Sequence, residues 1–252
     1  MARIIVFDSG FGSLSIIKPI QQAVKSDIIY FADQENFPYG QKSIPELTKI
    51  ITKRLKLLEE KFKPDLIVVG SNTPSLLVQI KKKNVIKVLP PIKMAAKISV
   101  TGNIAILATH ATIKSKKLSE FIKKNKLARR INIKKINASK LVQLVESVKF
   151  IDDKNLCERT INKVLSQEFS KYNIDVATLS STHLPFLLSF FNKQFPTVNF
   201  LDPGQEIADK VRKTVKKPSK RNSMKIFTSS KPEKFQKDLS KIGIKQKVTF
   251  LN

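Results

Sequence analysis

Cysteine is almost missing from this chain: Cys157 is the only one in 252 residues. That excludes an internal disulfide framework and a cysteine-based zinc site. Long apolar runs are missing too. Runs such as those at residues 4–7 and 66–70 fall far short of the roughly 20 residues needed to cross a bilayer. The N-terminus passes from Met1-Ala2-Arg3 straight into a strand-like run, with no apolar signal region or small-residue cleavage site. Acidic residues are scarce, 20 against 47 Lys and Arg. What is present is a 41% hydrophobic content, near the globular range and too apolar for a charged, unfolded chain. At about 100–200 residues per domain, the length allows one large domain or two small ones. The expectation is a soluble, cytoplasmic, globular protein with no membrane association.

The formal charge of +27 suggests polyanions, but its distribution argues against a dedicated nucleic-acid site. Residues 1–100 carry 16 basic and 8 acidic side chains, residues 101–200 carry 17 and 7, and residues 201–252 carry 14 and 5. The excess is spread over the whole chain. Forty of the 47 basic residues are Lys, whereas base edges and phosphates are gripped best by the arginine fork. Runs such as Lys81-Lys82-Lys83 and Lys123-Lys124 are expected on solvated helix faces. Non-specific, salt-dependent attraction to nucleic acid is all that this charge implies.

The local patterns alternate between short apolar runs and helical periodicity. Residues 3–7 read as a strand that ends at Asp8-Ser9-Gly10-Phe11-Gly12-Ser13, and Leu14, Ile16, Ile17 and Ile20 then recur at helical spacing. Strands follow at 28–32 and 65–70, separated by a loop, Asn36-Phe37-Pro38-Tyr39-Gly40, and a helix over 44–62 with an apolar stripe. The pattern restarts with strands at 103–107, 131–136 and 175–180, and helices near 113–124, 141–148 and 153–172. Such alternation predicts an α/β fold of two similar domains, each with a mostly parallel sheet flanked by helices. The expected domains are 1–92 and 93–203, with 204–252 returning to the first. The crossings fall near Pro90-Pro91 and Asp202-Pro203-Gly204.

The two halves echo each other. Asp65 stands six residues before Ser71, and Asp175 six before Ser181; each serine follows a strand, with a Thr and then a Pro soon after. Ligands of open α/β sheets sit beyond the carboxyl ends of strands, so two such domains facing one another are expected to place Ser71 and Ser181 on opposite walls of a cleft. The simpler reading is that both serines cap the helices that follow. Cys157, in a helical stretch away from these motifs, is expected to pack.

Taken together, Val6-Phe7-Asp8-Ser9-Gly10, Gly12 with Leu14-Ser15, Pro38-Tyr39-Gly40, Asn72-Thr73, Leu107-Ala108-Thr109 with Ala111-Thr112, Leu144-Val145-Glu146, and Thr182-His183 with Pro185 give a recognisable pattern. It resembles the cofactor-independent aspartate/glutamate racemase superfamily, and within it the glutamate racemase family. The matching segments run in the family's order from residue 4 to about 209. Phe227-Thr228-Ser229-Ser230 with Pro232-Glu233 and Phe235 looks like the family's last strand and helix.

The resemblance implies inversion of an acidic amino acid at Cα by two-sided proton transfer, without pyridoxal phosphate or any other cofactor, and without metal. It places a cysteine thiol on each side of the substrate, at the positions held here by Ser71 and Ser181. Asp8 is then expected near Ser71, and Glu146 and His183 near Ser181, as catalytic partners. Asp8, Ser9, Tyr39, Gly40, Asn72, Thr73, Thr182 and His183 are expected to hold the amino acid. A homodimer fits the resemblance. Ser13 stands where the family usually has a second glycine.

The serines matter chemically. A thiol with a reference pKa of ~8.5 is readily made a thiolate, whereas a serine hydroxyl is a much weaker acid that needs an adjacent base. Three functions stay open on sequence: a glutamate or aspartate racemase working with serines, an inactive relative that only binds an acidic amino acid, and a basic nucleic-acid-associated protein. Another proton-transfer or hydrolytic reaction in the same cleft is the remainder.

Overall fold

The computed structural model describes residues 2–251. The chain divides into two compact units, one running through Val88 and resuming at Gly204, the other spanning Leu89–Pro203.

In the first unit, β1 (Arg3–Asp8) leads through a 3-10 turn (Gly12–Ile16) into α1 (Ile17–Ala23), then β2 (Asp27–Ala32), α2 (Ile44–Phe62), β3 (Leu66–Val69), α3 (Asn72–Leu77) and β4 (Val85–Lys87). The second unit contains α4 (Ile92–Ile98), β5 (Asn103–Ala108), α5 (His110–Lys114), α6 (Lys116–Lys124), β6 (Asn132–Asn137), α7 (Ser139–Glu146), α8 (Lys149–Asp152), α9 (Lys154–Tyr172), β7 (Val176–Leu179), α10 (Leu188–Gln194) and β8 (Asn199–Leu201). The chain then adds α11 (Gly204–Thr214), β9 (Ser223–Thr228), α12 (Pro232–Lys241) and β10 (Val248–Phe250) to the first unit.

The sheets are parallel throughout: six strands in the order β10-β9-β2-β1-β3-β4, and four in the order β6-β5-β7-β8. Helices cover both faces of such sheets, so the central strands are buried along nearly their full length. That is why β1, β3, β5 and β7 read as continuous apolar runs rather than alternating ones.

Helix α2 shows how the sequence sets its ends. Ser43 accepts a hydrogen bond from Glu46 N at 3.3 Å, Pro45 occupies the first turn, and Lys63 closes the helix in a left-handed conformation at φ 45° before Pro64. Leu47, Ile51, Leu55 and Leu58 form its buried stripe, and Arg54 lies in the same stripe.

Several local expectations are corrected. The helix expected near 113–124 is two helices, because Ser115 adopts an extended conformation and its hydroxyl accepts from Leu118 N at 3.1 Å, starting α6 afresh. Lys81-Lys82-Lys83 is exposed but lies in an irregular stretch between α3 and β4, not on a helix. Strand β9 and helix α12 carry the Phe227–Phe235 motif, yet β9 is not the last strand, since β10 pairs outside it. Among the described residues no helix is long and apolar enough to cross a membrane.

Candidate functional site

The expected site residues divide between the units, and all but Tyr39, Gly40 and Glu146 lie at or just beyond strand carboxyl ends. In the first unit Asp8 ends β1, and Phe7 pairs in register with Val69 on β3, so Asp8 stands beside the Gly70-Ser71 exit. Gly70 N donates to Phe7 O at 2.8 Å. Gly70 has to be glycine: a Cβ there would lie 2.3 Å from Ser13 Cβ. Ser13 therefore fits tightly over the end of β3 in the place where the resemblance expects glycine.

Asp8 is buried, and its Oδ1 accepts from Ser9 N at 2.7 Å, which turns the chain sharply after β1. Ser71 stands at the start of α3, but its side chain makes no capping bond. Capping hydroxyls accept from the second or third helical N–H; the third residue here is Pro74, which has no N–H, and the second, Thr73, makes no bond to the Ser71 side chain. The capping reading of Ser71 is thus corrected. Ser75 does the local stitching instead, donating to Val69 O and accepting from Val88 N, both at 3.1 Å.

Asn72 is 3% exposed; its Nδ2 donates to Val88 O at 3.3 Å, while its Oδ1 is buried with no partner. The bond to a carbonyl fixes which end of the amide carries oxygen, so an unmet acceptor remains. A buried unmet acceptor costs about 1–3 kcal/mol, and an ammonium group would satisfy it.

Tyr39 and Gly40 open a short 3-10 turn after Pro38. The Tyr39 hydroxyl donates to Asp33 Oδ2 at 2.8 Å. Burial, with the carboxylates of Asp33 and Asp8 nearby, pushes the Tyr39 phenol well above its usual range. With its one proton committed, the hydroxyl has none to give a ligand carboxylate. The donors this turn can offer are the backbone N–H groups of its first residues, which a helix start leaves without an internal partner.

In the second unit Ser181, Thr182 and His183 follow β7 and are all buried. Ser181 O accepts from Leu184 N at 3.0 Å, so the turn closes through the backbone. His183 Nε2 lies 2.8 Å from Glu146 Oε2 at the end of α7, with side chains 6% and 12% exposed. An ionised carboxylate at that distance places the proton on Nε2 and leaves Nδ1 as the basic atom. Glu146 and His183, 37 residues apart in sequence, form one buried acid–base pair two positions from Ser181.

The matched aspartates sit at the other ends of their strands. Asp65 accepts from Arg3 N at 2.8 Å. Asp175 accepts from Ser99 Oγ, Val100 N, Thr101 N and Thr101 Oγ1, at 2.6–3.0 Å. Burial alone would raise the Asp175 carboxyl, but these donors outweigh it and hold it below the usual value. The six-residue echo thus pairs a structural aspartate with a site serine across the length of a strand. Cys157 is fully buried in α9, and desolvation with Glu158 nearby pushes its thiol up to about 11.

Two functional candidates escaped the sequence reading, Asp33 and Arg54. Asp33 is fully buried at the end of β2 and pairs with Arg54 Nε at 2.8 Å. The signal was available: Arg54 falls three residues after Ile51 and four before Leu58, on the buried face of α2. Among the described residues no group of three or more His, Cys, Asp or Glu is placed to hold a metal ion.

No protein-family model matches the chain. It is similar to the glutamate racemase of Actinobacillus pleuropneumoniae serotype 7 (strain AP76), with 31% identity over 246 residues, covering 93% of this chain and 91% of that protein. Its fold is similar to that of a glutamate racemase isoform from Bacillus anthracis, with a TM-score of 0.87 and 23% identity over 100% of this chain and 97% of that one. It is also similar to Escherichia coli glutamate racemase, solved in complex with L-glutamate and the activator UDP-MurNAc-Ala, with a TM-score of 0.84 and 24% identity over 99% and 98% of the two chains.

Proposed function

The chain belongs to the glutamate racemase family, and from that premise we propose that it binds glutamate and exchanges the proton on its α-carbon, inverting it without a cofactor. In this reading the Ser71 set (Asp8, Ser9, Tyr39, Gly40, Asn72, Thr73) works on one face of that carbon. The Ser181 set (Glu146, Thr182, His183) works on the other. One face accepts the α-proton and the opposite face returns one, so a C–H bond breaks and reforms with no change in composition.

The observation that carries the reading is the buried His183–Glu146 pair beside Ser181. Glu146 fixes the imidazole, and Nδ1 is the atom able to take or give a proton. On the other face the carboxylate of Asp8 is the group able to do so. The unmet Oδ1 of Asn72 suits the substrate ammonium, and the backbone N–H groups of Tyr39 and Gly40 suit a carboxylate. Ser71 and Ser181 occupy the positions that the family resemblance gives to thiols. A hydroxyl is too weak an acid to work as its own anion, so each serine passes a proton to its neighbouring base. Turnover is therefore expected to be slow, by on the order of 10²–10⁴ for each replaced group.

Calorimetry with L- and D-glutamate tests the binding half of the reading, and deuterium wash-in at Cα tests the chemistry. Heat with at least one enantiomer, with slow exchange, is expected. No heat with either acid at millimolar concentration would overturn it.

A further inference from the structure

Asp33 takes part in none of the proton transfers above, yet it is the most heavily bonded carboxylate among the described residues near the first-unit site. Its Oδ1 accepts from Arg54 Nε at 2.8 Å and from Ser229 Oγ at 3.1 Å; its Oδ2 accepts from Tyr39 OH at 2.8 Å. Asn36 Nδ2 reaches both oxygens at 3.0 Å. Its backbone N–H donates to Asp8 O at 2.7 Å. Arg54, 3% exposed, spends its other arm on Glu35 Oε2 at 2.6 Å. Glu35 N in turn donates to Ser229 Oγ at 3.1 Å.

The carboxylate thereby joins helix α2, the Tyr39–Gly40 turn and the segment after β9, while the backbone of the same residue continues the pairing with the end of β1. We propose that Asp33, oriented by Arg54, is a positioning residue for substrate binding, holding the Tyr39–Gly40 turn in place so that its backbone N–H groups meet the ligand carboxylate. This rests on the reading of Tyr39 and Gly40 as substrate-binding residues.

The geometry favours positioning over general support. A buried carboxylate needs only a partner for its charge, and Arg54 supplies that. The extra carboxylate bonds run to the Tyr39 turn, to Asn36 just before it and to Ser229 after β9, not to the core. The Tyr39 hydroxyl is the one side-chain link from Asp33 to the turn that can be cut without disturbing the ion pair. Burial keeps that phenol protonated, so the link stays a donor across the working pH range. Arg54 also needs its fork: the Nε and Nη2 bonds diverge to two carboxylates, a geometry that the single ammonium of Lys does not reproduce.

The test uses the full chain with Tyr39→Phe, Arg54→Lys and Arg54→Met, read by amide hydrogen exchange without ligand and by glutamate calorimetry. In Tyr39→Phe, exchange at Gln41 and Lys42, whose N–H groups donate to Pro38 O and Tyr39 O, is expected to rise while β1 stays protected, and the glutamate Kd to rise by about tenfold. Arg54→Lys should fall between wild type and Arg54→Met in both readouts. Tyr39→Phe and Arg54→Lys proteins that fold with unchanged exchange at Gln41 and Lys42 and unchanged affinity would overturn the proposal. If the wild-type chain binds no glutamate, the functional reading fails, and the exchange pattern alone decides whether Asp33 holds the turn.

Discussion

Ser71 and Ser181 follow matched strands at matched distances from a leading aspartate, but their surroundings differ in kind. Beside Ser181 a histidine and a glutamate form a buried pair at 2.8 Å. Both histidines of the chain belong to the second unit; the acid neighbouring Ser71 is Asp8, whose backbone accepts from Asp33, the partner of Arg54. The second unit thus carries an imidazole oriented by a carboxylate. The first carries a buried ion pair and an unmet amide oxygen. Similar backbone plans thus carry unequal side-chain chemistry, and the inequality is set by side chains that arrive from outside the strand–turn motif.

The largest effect expected from this contrast is on rate. Restoring cysteine at both serines should raise glutamate racemisation by several powers of ten, since each thiol recovers about 10²–10⁴ where its surroundings lower its pKa. A coupled assay of D-glutamate formation measures it, and an unchanged rate in a folded, glutamate-binding protein would count against the shared-site reading.

Next in size is a split between the two faces. His183→Gln and Glu146→Gln should each slow α-proton exchange with one enantiomer by about 10²-fold and affect the other much less, whereas Asp8→Asn should do the reverse. Equal losses with both enantiomers would show that the two sets are not specialised by face.

Within the first unit, stability should separate buried from surface charge in the same way. Arg54→Met leaves Asp33 buried without its cation and should cost about 3–5 kcal/mol in urea unfolding. Surface pairs such as Lys56–Glu60 are worth no more than about 1 kcal/mol.

The smallest effects belong to the matched aspartates. Asp175→Ala removes an acceptor serving four donors and should cost about 1–3 kcal/mol. Asp65, exposed with one backbone donor, should cost less than about 1 kcal/mol. Because the folded Asp175 carboxyl is held below its unfolded value, its contribution is present above about pH 4 and fades as the pH falls through the folded value. The Asp175→Ala variant should therefore lose the acid-side slope of wild-type stability from about pH 4 downward. A slope identical to wild type would assign acid sensitivity elsewhere.

Much of the scaffold was legible because the sequence states it locally. The Ser43–Glu46 cap, the stripe of α2 and the stop at Pro64 delimit that helix, and the apolar runs of β1, β3, β5 and β7 mark buried parallel strands. Strands β4, β8 and β10 were not legible: three residues each show no period, and they exist because a neighbouring strand offers its edge. The site was legible in part. Ser71 and Ser181 stand out through the repeated spacing, but the bond between Glu146 and His183 is a product of the fold. Arg54 was hidden for the same reason. Its spacing from Ile51 and Leu58 puts it on the apolar face, but the partner that lets a charge sit there, Asp33, comes from a distant strand end and is a product of the fold.

Deuterium incorporation by the single-cysteine variants tests the two-faced site most directly. With Ser71→Cys or Ser181→Cys alone, glutamate in D2O should take up deuterium at Cα with its configuration retained. With both changes, exchange should be accompanied by inversion. A double variant that folds and binds glutamate yet neither exchanges nor inverts would contradict the assignment of the Ser71 and Ser181 sets to opposite faces of one α-carbon.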